Sequence, residues 1–229
     1  MLLAALNWMQ VEAYLQRDDR VVVITGACEQ HATLSVLADI HVPLAIAEAA
    51  CEREGVLIAP PLPFGVSPYF TAYPGTLSLS PETFATVVRE VLGNLRRQGF
   101  HRILVSNGHG GNTGILGPLI SELNTAWPEV HITFFEWWRH PAVGAVAEAA
   151  GLAQYHANWS ENFAGLTRVA PVPEGHKPPV TLLPGTSATV SRALLGDGSF
   201  GGVYQAPDAV MERFFAAAVE AMVTALHTW

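Results

Sequence analysis

The chain has 229 residues, half of them hydrophobic and 14% charged, with a formal net charge of -8 at pH 7. That supplies apolar material for one large buried core and argues against a nucleic-acid partner, which requires a basic surface. No stretch reaches the apolar length of a membrane span. The apolar N-terminus lacks the positive region of a secretory signal. The two cysteines, Cys28 and Cys51, fit reduced thiols rather than a disulfide framework. These features set the expectation of a cytoplasmic protein.

In chain order, residues 8–17 read as a short amphipathic helix, and Arg20 to Thr25 as a β-branched strand buried on both faces. A loop over 26–37 leads to a helix from Val42 to Glu54, closed by Gly55. Val56 to Ala59 is a second buried strand, stopped by Pro60-Pro61. A long loop rich in Pro, Gly and aromatics follows, to Leu77. Ser80 is a good N-cap, with Pro81 in the first helical position, and the helix runs to about Gln98. His101 to Ser106 is a third strand that runs into Asn107-Gly108-His109-Gly110-Gly111-Asn112 and then a helix to about Trp127. Val130 to Glu136 is a fourth strand, and 142–150 a short helix. Residues 151–206 are irregular, with a helical pattern only over 160–168, and 207–227 is an amphipathic helix. Strands alternating with crossover-length helices predict an α/β protein, a three-layer α/β/α sandwich with a mainly parallel central sheet. Sites in such sheets gather at the carboxyl ends of the strands.

The chemistry-bearing residues fall there. Glu29 and His31, two apart after the first strand, point to one side of an extended segment, and Asp39 follows. This is ligand chemistry suited to zinc, manganese or iron(II). Read alone, the triplet fits a solvated loop with a capping Asp as well. His109, set among glycines after the third strand, reads as a ligand or a catalytic group. A phosphate cradle is the rival, but the nucleotide fingerprints are missing. His156 and Glu161, five apart in a loop opening a helical pattern, could supply a further ligand and a proton-transfer group; taken alone, they read better as a surface imidazole and an exposed helix charge. Trp137, Trp138 and Trp159, with Tyr69, Phe70 and Tyr73 in the long loop, are candidates to wall a substrate pocket, although tryptophans more often just pack.

Glu29-Gln30-His31, then Asp39, Pro74-Gly75-Thr76, Ser80-Pro81-Glu82-Thr83, the 107–112 segment and His156-Ala157 with Glu161 stand in an order that resembles the creatininase (creatinine amidohydrolase) family. The resemblance implies a single domain over 1–229, an α/β/α sandwich assembled as a hexamer, and one or two divalent metal ions bridged by an Asp and a hydroxide. It implies an amidohydrolase that cleaves a C–N bond of a small cyclic or linear amide with a metal-activated water. Formamide or peptide hydrolysis, and metal or ligand binding without catalysis, are the alternatives. By the same resemblance Glu29, Asp39 and His109 hold the first metal, and His31, Asp39 and a second carboxylate hold the other. His156 and Glu161 are the catalytic pair. The chain departs from the pattern at Ala32, where Gly is usual, and in the ten-residue spacing from Glu29 to Asp39. At Gly111, creatininase proper has a metal-binding Glu. That change leaves Glu161 as the second carboxylate and directs the substrate expectation away from creatinine.

Overall fold

The computed structural model describes residues 1–228; residue 229, the last of the expected domain, lies outside the described residues. Strands β1 (Arg20–Thr25), β2 (Leu57–Ile58), β3 (Arg102–Asn107) and β4 (His131–Glu136) form one sheet in the order β2-β1-β3-β4, every pair parallel. β1 and β3 are fully buried over five of their six residues, as expected for strands covered on both faces. Alternate side chains go to opposite cores. Val22, Ile24 and Leu104 meet helices α2 (Ala38–Glu54), α5 (Pro141–Ala149) and α7 (Asp208–Ala225) on one face. Val21, Val23, Ile103 and Val105 meet α1 (Trp8–Leu15), α3 (Pro81–Gln98) and α4 (Thr113–Ala126) on the other. The three-layer α/β/α sandwich with a parallel sheet is therefore present.

Several local expectations need correction. α2 begins at Ala38, four residues earlier than the pattern suggested, so Asp39 sits in its first helical turn rather than in the loop before it. Pro43 hides this start: proline usually marks a first turn, whereas here it lies inside the helix. Lacking an N–H, Pro43 cannot donate to the carbonyl of Asp39 four residues before it. That carbonyl packs instead against the strand ends: a Cβ on Gly26 would fall 2.3 Å from Asp39 O, and one on Gly108 1.9 Å from it. Residues 160–168 do not form a helix. A single 3-10 turn spans Trp159–Glu161, and the Thr167 side chain takes the Phe163 N–H at 2.9 Å, which competes with helical pairing. The irregular region contains α6 (Ala188–Leu195), capped by Ser187, and a short antiparallel pair of β5 (His176–Lys177) with β6 (Gly202–Val203).

Candidate metal centre

The segments after β1 and β3 and the start of α2 meet at the carboxyl edge of the sheet. Two asparagines brace the loop after β3. Asn107 donates to the His109 carbonyl at 2.7 Å and accepts the His109 N–H at 3.2 Å. Asn112 donates to Gly26 O at 3.0 Å and accepts from Val66 N at 3.1 Å. These bonds satisfy buried main-chain groups that no ladder reaches and fix the His109 backbone beside Glu29 and Asp39. Glu136 takes part in the same brace, accepting from Asn107 at 3.0 Å and from Thr113.

Glu29, His31, Asp39 and His109 are all buried. Glu29, Asp39 and His109 form one group of converging ligand atoms, His31, Asp39 and Glu161 a second, and Glu29, His31 and His156 a third; Asp39 is common to the first two. Asp39 Oδ1 lies 3.1 Å from His31 Nε2, and Asp39 Oδ2 3.0 Å from His109 Nδ1. Glu29 Oε1 is 3.4 Å from His109 Nδ1, and Glu161 Oε2 is 3.8 Å from His31 Nε2. The structure thus brings together all five metal ligands expected from the sequence. His156 joins them, its Nδ1 3.5 Å from Glu29 Oε1.

This donor set fits divalent cations. His109 Nε2 lies 3.0 Å from Val66 O, and His31 Nδ1 3.1 Å from Glu29 O. A carbonyl only accepts, so these nitrogens carry protons and the opposite nitrogens, His31 Nε2 and His109 Nδ1, face the carboxylates. Each such pair needs a positive charge between its members: a second imidazole proton when no ion is bound, which the raised His31 and His109 hold, or a metal ion in its place. Backbone carbonyls that orient ligand imidazoles this way are usual around bound metal. Glu29 Oε2 is buried without a hydrogen-bond donor, a costly state for a carboxylate oxygen that coordination relieves.

The local fields are strong. Burial alone would lower the His31 imidazole, but the carboxylates of Asp39, Glu161 and Glu29 raise it to about 10. Burial would raise Asp39, but His31 and His109 hold it well below the usual carboxylate range. Burial, opposed by His31, lifts the Glu161 carboxyl to about 7. Burial and the neighbouring His31 drop His156 to about 4, so its ring is neutral. That ring stacks on Phe70 with centroids 4.7 Å apart, faces His31 at 4.5 Å and meets the edge of Phe200 at 5.3 Å. Residues Ala32 and Ala157, each following a site histidine, hold positive φ angles of 52° and 55°, conformations that cost a non-glycine residue energy and cluster at functional sites.

Over the cluster opens a cavity of about 520 Å³ whose walls include Tyr69 and Trp138. Trp159 does not reach it. Its side chain is 0% exposed, packs on Phe214 with centroids 4.9 Å apart, and donates from Nε1 to Ala153 O at 2.9 Å. Successive residues of a 3-10 turn point about a third of a turn apart; Ser160 and Glu161 face the cavity, and Trp159 faces the core. Phe70, Trp137, Tyr155 and Phe200 line the cavity as well. Tyr155, adjacent to His156, had a signal in that neighbourhood; Phe200 had none. Gln30 was also passed over, although it lies inside the Glu29–His31 segment. It accepts the Ala32 N–H at 3.1 Å, donates to Gly198 O at 3.0 Å and lies 2.9 Å from His156 Nε2.

Known proteins resemble this chain in sequence and in fold. Creatinine amidohydrolase of Pseudomonas putida is 32% identical over 111 residues, which is 45% of this chain and 43% of that protein. A mycofactocin precursor peptide peptidase of Mycolicibacterium smegmatis is 30% identical over 110 residues, 45% of this chain and 44% of that protein. The matched region thus spans less than half the length of these relatives. Among solved structures, a creatinine amidohydrolase (creatininase) superposes with a TM-score of 0.83 at 23% identity, covering 98% of this chain and 96% of that one. A manganese form of creatininase does so with a TM-score of 0.82 at 24% identity, with the same coverage. These structural likenesses speak for the fold. The profile of the creatininase family, described as creatinine amidohydrolase, matches residues 4–226, and the chain belongs to that family.

Proposed function

We propose that the chain is a metal-dependent amidohydrolase that cleaves a C–N bond of a small cyclic or linear amide. In this reading Glu29, Asp39 and His109 hold one divalent ion, and His31, Asp39 and Glu161 a second; zinc, manganese and iron all suit the donors. The observation that carries it is the Asp39 carboxylate, which offers one oxygen to each of two ligand groups. When bound, such ions polarise a carbonyl and lower the pKa of an attacking water. The chain's own groups orient the substrate and move the protons. His156, neutral and held between Phe70 and His31, is placed to take a proton and pass it to the departing nitrogen. Glu161 is the second proton-transfer group. Tyr69 and Trp138 contact the substrate, and the aromatic walls keep water from it.

The proposal includes one domain over 1–229, a homohexamer and a cytoplasmic location, without nucleic-acid or membrane partners. No helix among the described residues is long and apolar enough to cross a membrane. Hydrolysis of a peptide-like amide is the second reading, favoured by a cavity in the size range that takes drug-sized molecules and by the likeness to a precursor peptide peptidase. The test is reconstitution with zinc or manganese, metal analysis, and release of ammonia or amine from a panel of amides. His109→Ala is expected to lose an ion and the activity. A wild-type protein that takes up no divalent ion overturns the proposal.

A further inference from the structure

The walls of the cavity specify the charge of what enters it. Among the described residues, no carboxylate and no Lys or Arg lines the cavity outside the cluster of Glu29, Asp39, His109, His156 and Glu161. Cations in the flanking segments are engaged elsewhere. Lys177 Nζ is held by the Asp197 carboxylate and by the carbonyls of Leu195 at 2.5 Å and Ser199 at 2.6 Å. Arg192 lies over the Tyr73 ring and donates to Ala72 O at 2.7 Å. Arg139 pairs with Glu136 at 3.5 Å. The largest part of the remaining wall is aromatic, with Tyr69, Phe70, Trp137, Trp138, Tyr155 and Phe200, and Leu182 adds apolar surface.

We infer that the cavity selects an uncharged amide carrying an aromatic or bulky apolar group, and rejects amides that bear a second, anionic group such as a carboxylate. The inference rests on the amidohydrolase reading, which assigns the ions to the scissile amide. A carboxylate elsewhere on the ligand leaves water to face ring systems whose faces are themselves electron-rich, and finds no cation to pair with. A neutral group loses little there. Its polar atoms have the side chains of Ser67 and Gln154 on the same wall.

The test is a matched pair. N-benzoylglycinamide and N-benzoylglycine share the benzoyl amide and differ in a carboxamide against a carboxylate. Zinc-loaded protein is titrated with each, with binding read by tryptophan fluorescence and hydrolysis by release of benzoate or, from the carboxamide, of ammonia. The carboxamide is expected to bind at least about tenfold more tightly, and to show a similar advantage in kcat/KM. Leu182→Arg, which adds a cation to the wall outside the metal cluster, should cut that preference about tenfold with unchanged zinc content. Equal binding of the pair, preference for the carboxylate or binding of neither overturns the inference, as does a Leu182→Arg protein that folds and keeps the wild-type ratio. The wild-type comparison stands even if that variant does not fold. Selective binding of the carboxamide without hydrolysis of either compound supports the inference and counts against the amidohydrolase reading alone.

Discussion

His109 Nε2 stands 3.0 Å from the carbonyl oxygen of Val66, and the backbone of Gly111 runs against both groups. A Cβ on Gly111 would lie 2.1 Å from Val66 O and 2.4 Å from His109 Nε2. The position where creatininase proper has a glutamate is therefore sterically closed in this chain. Gly111→Ala is expected to displace the imidazole and weaken zinc binding by about tenfold or more, the usual effect of losing a ligand's supporting hydrogen bond. Calorimetric titration of refolded apoprotein, beside a circular dichroism spectrum that should not change, checks this. Wild-type affinity in the variant would show that the loop gives way without cost.

Asp39 and Glu161 should differ in what their loss removes. Asp39 belongs to two of the ligand groups and Glu161 to one. Metal analysis of Asp39→Ala should find both ions lost, whereas Glu161→Ala should retain one per chain. If Glu161→Ala still holds two ions, the second group is made by other residues.

Chelation should make stability sensitive to alkaline pH. Without an ion, burial pushes His31 down but Asp39, Glu161 and Glu29 outweigh it, and the imidazole rises from its ordinary 6.5 to about 10. A folded-state pKa above the unfolded value stabilises fully below about pH 6.5, and that contribution is lost as pH rises through about 10. His109 is raised in the same sense. Coordination replaces the imidazole proton, so the loaded protein escapes this penalty. Melting temperatures across that window, with and without chelator, should diverge as pH rises; parallel curves would sink the account.

Trp159 should behave as a core residue. With its ring fully buried against Phe214, Trp159→Ala is expected to cost about 3–5 kcal/mol of stability. Trp159→Phe should lower the melting temperature and leave KM for a substrate amide unchanged, while Trp138→Ala should raise KM. A raised KM in Trp159→Phe would return that residue to the cavity.

What could be read in advance followed from strong local signals. The buried runs at 20–25 and 101–106 could only be interior strands, and a parallel sheet collects its site residues at one edge. Glu29, His31 and His109 were legible on that ground, and Asp39, His156 and Glu161 gained weight from the motif order. The orientation of Trp159 was not legible, because it depends on a 3-10 turn whose geometry comes from the Asn158 and Thr167 side chains. Phe200 escaped notice for another reason: it meets the His156 ring edge-on from a segment far away in the chain. Helix α6 is only eight residues long, too short for periodicity to rise above its Gly- and Pro-rich surroundings.

The seat of Asp39 between Gly26 and Gly108 has a consequence for how this site can diverge. The shared ligand is set by main chain pressed on main chain, through a carbonyl that Pro43 leaves without its helical donor. Any residue that tilts α2 against β1 and β3 therefore moves both ligand groups that share Asp39 together. Descendants of this chain can retune the walls freely, but the spacing of those two ligand groups is inherited as a property of the scaffold.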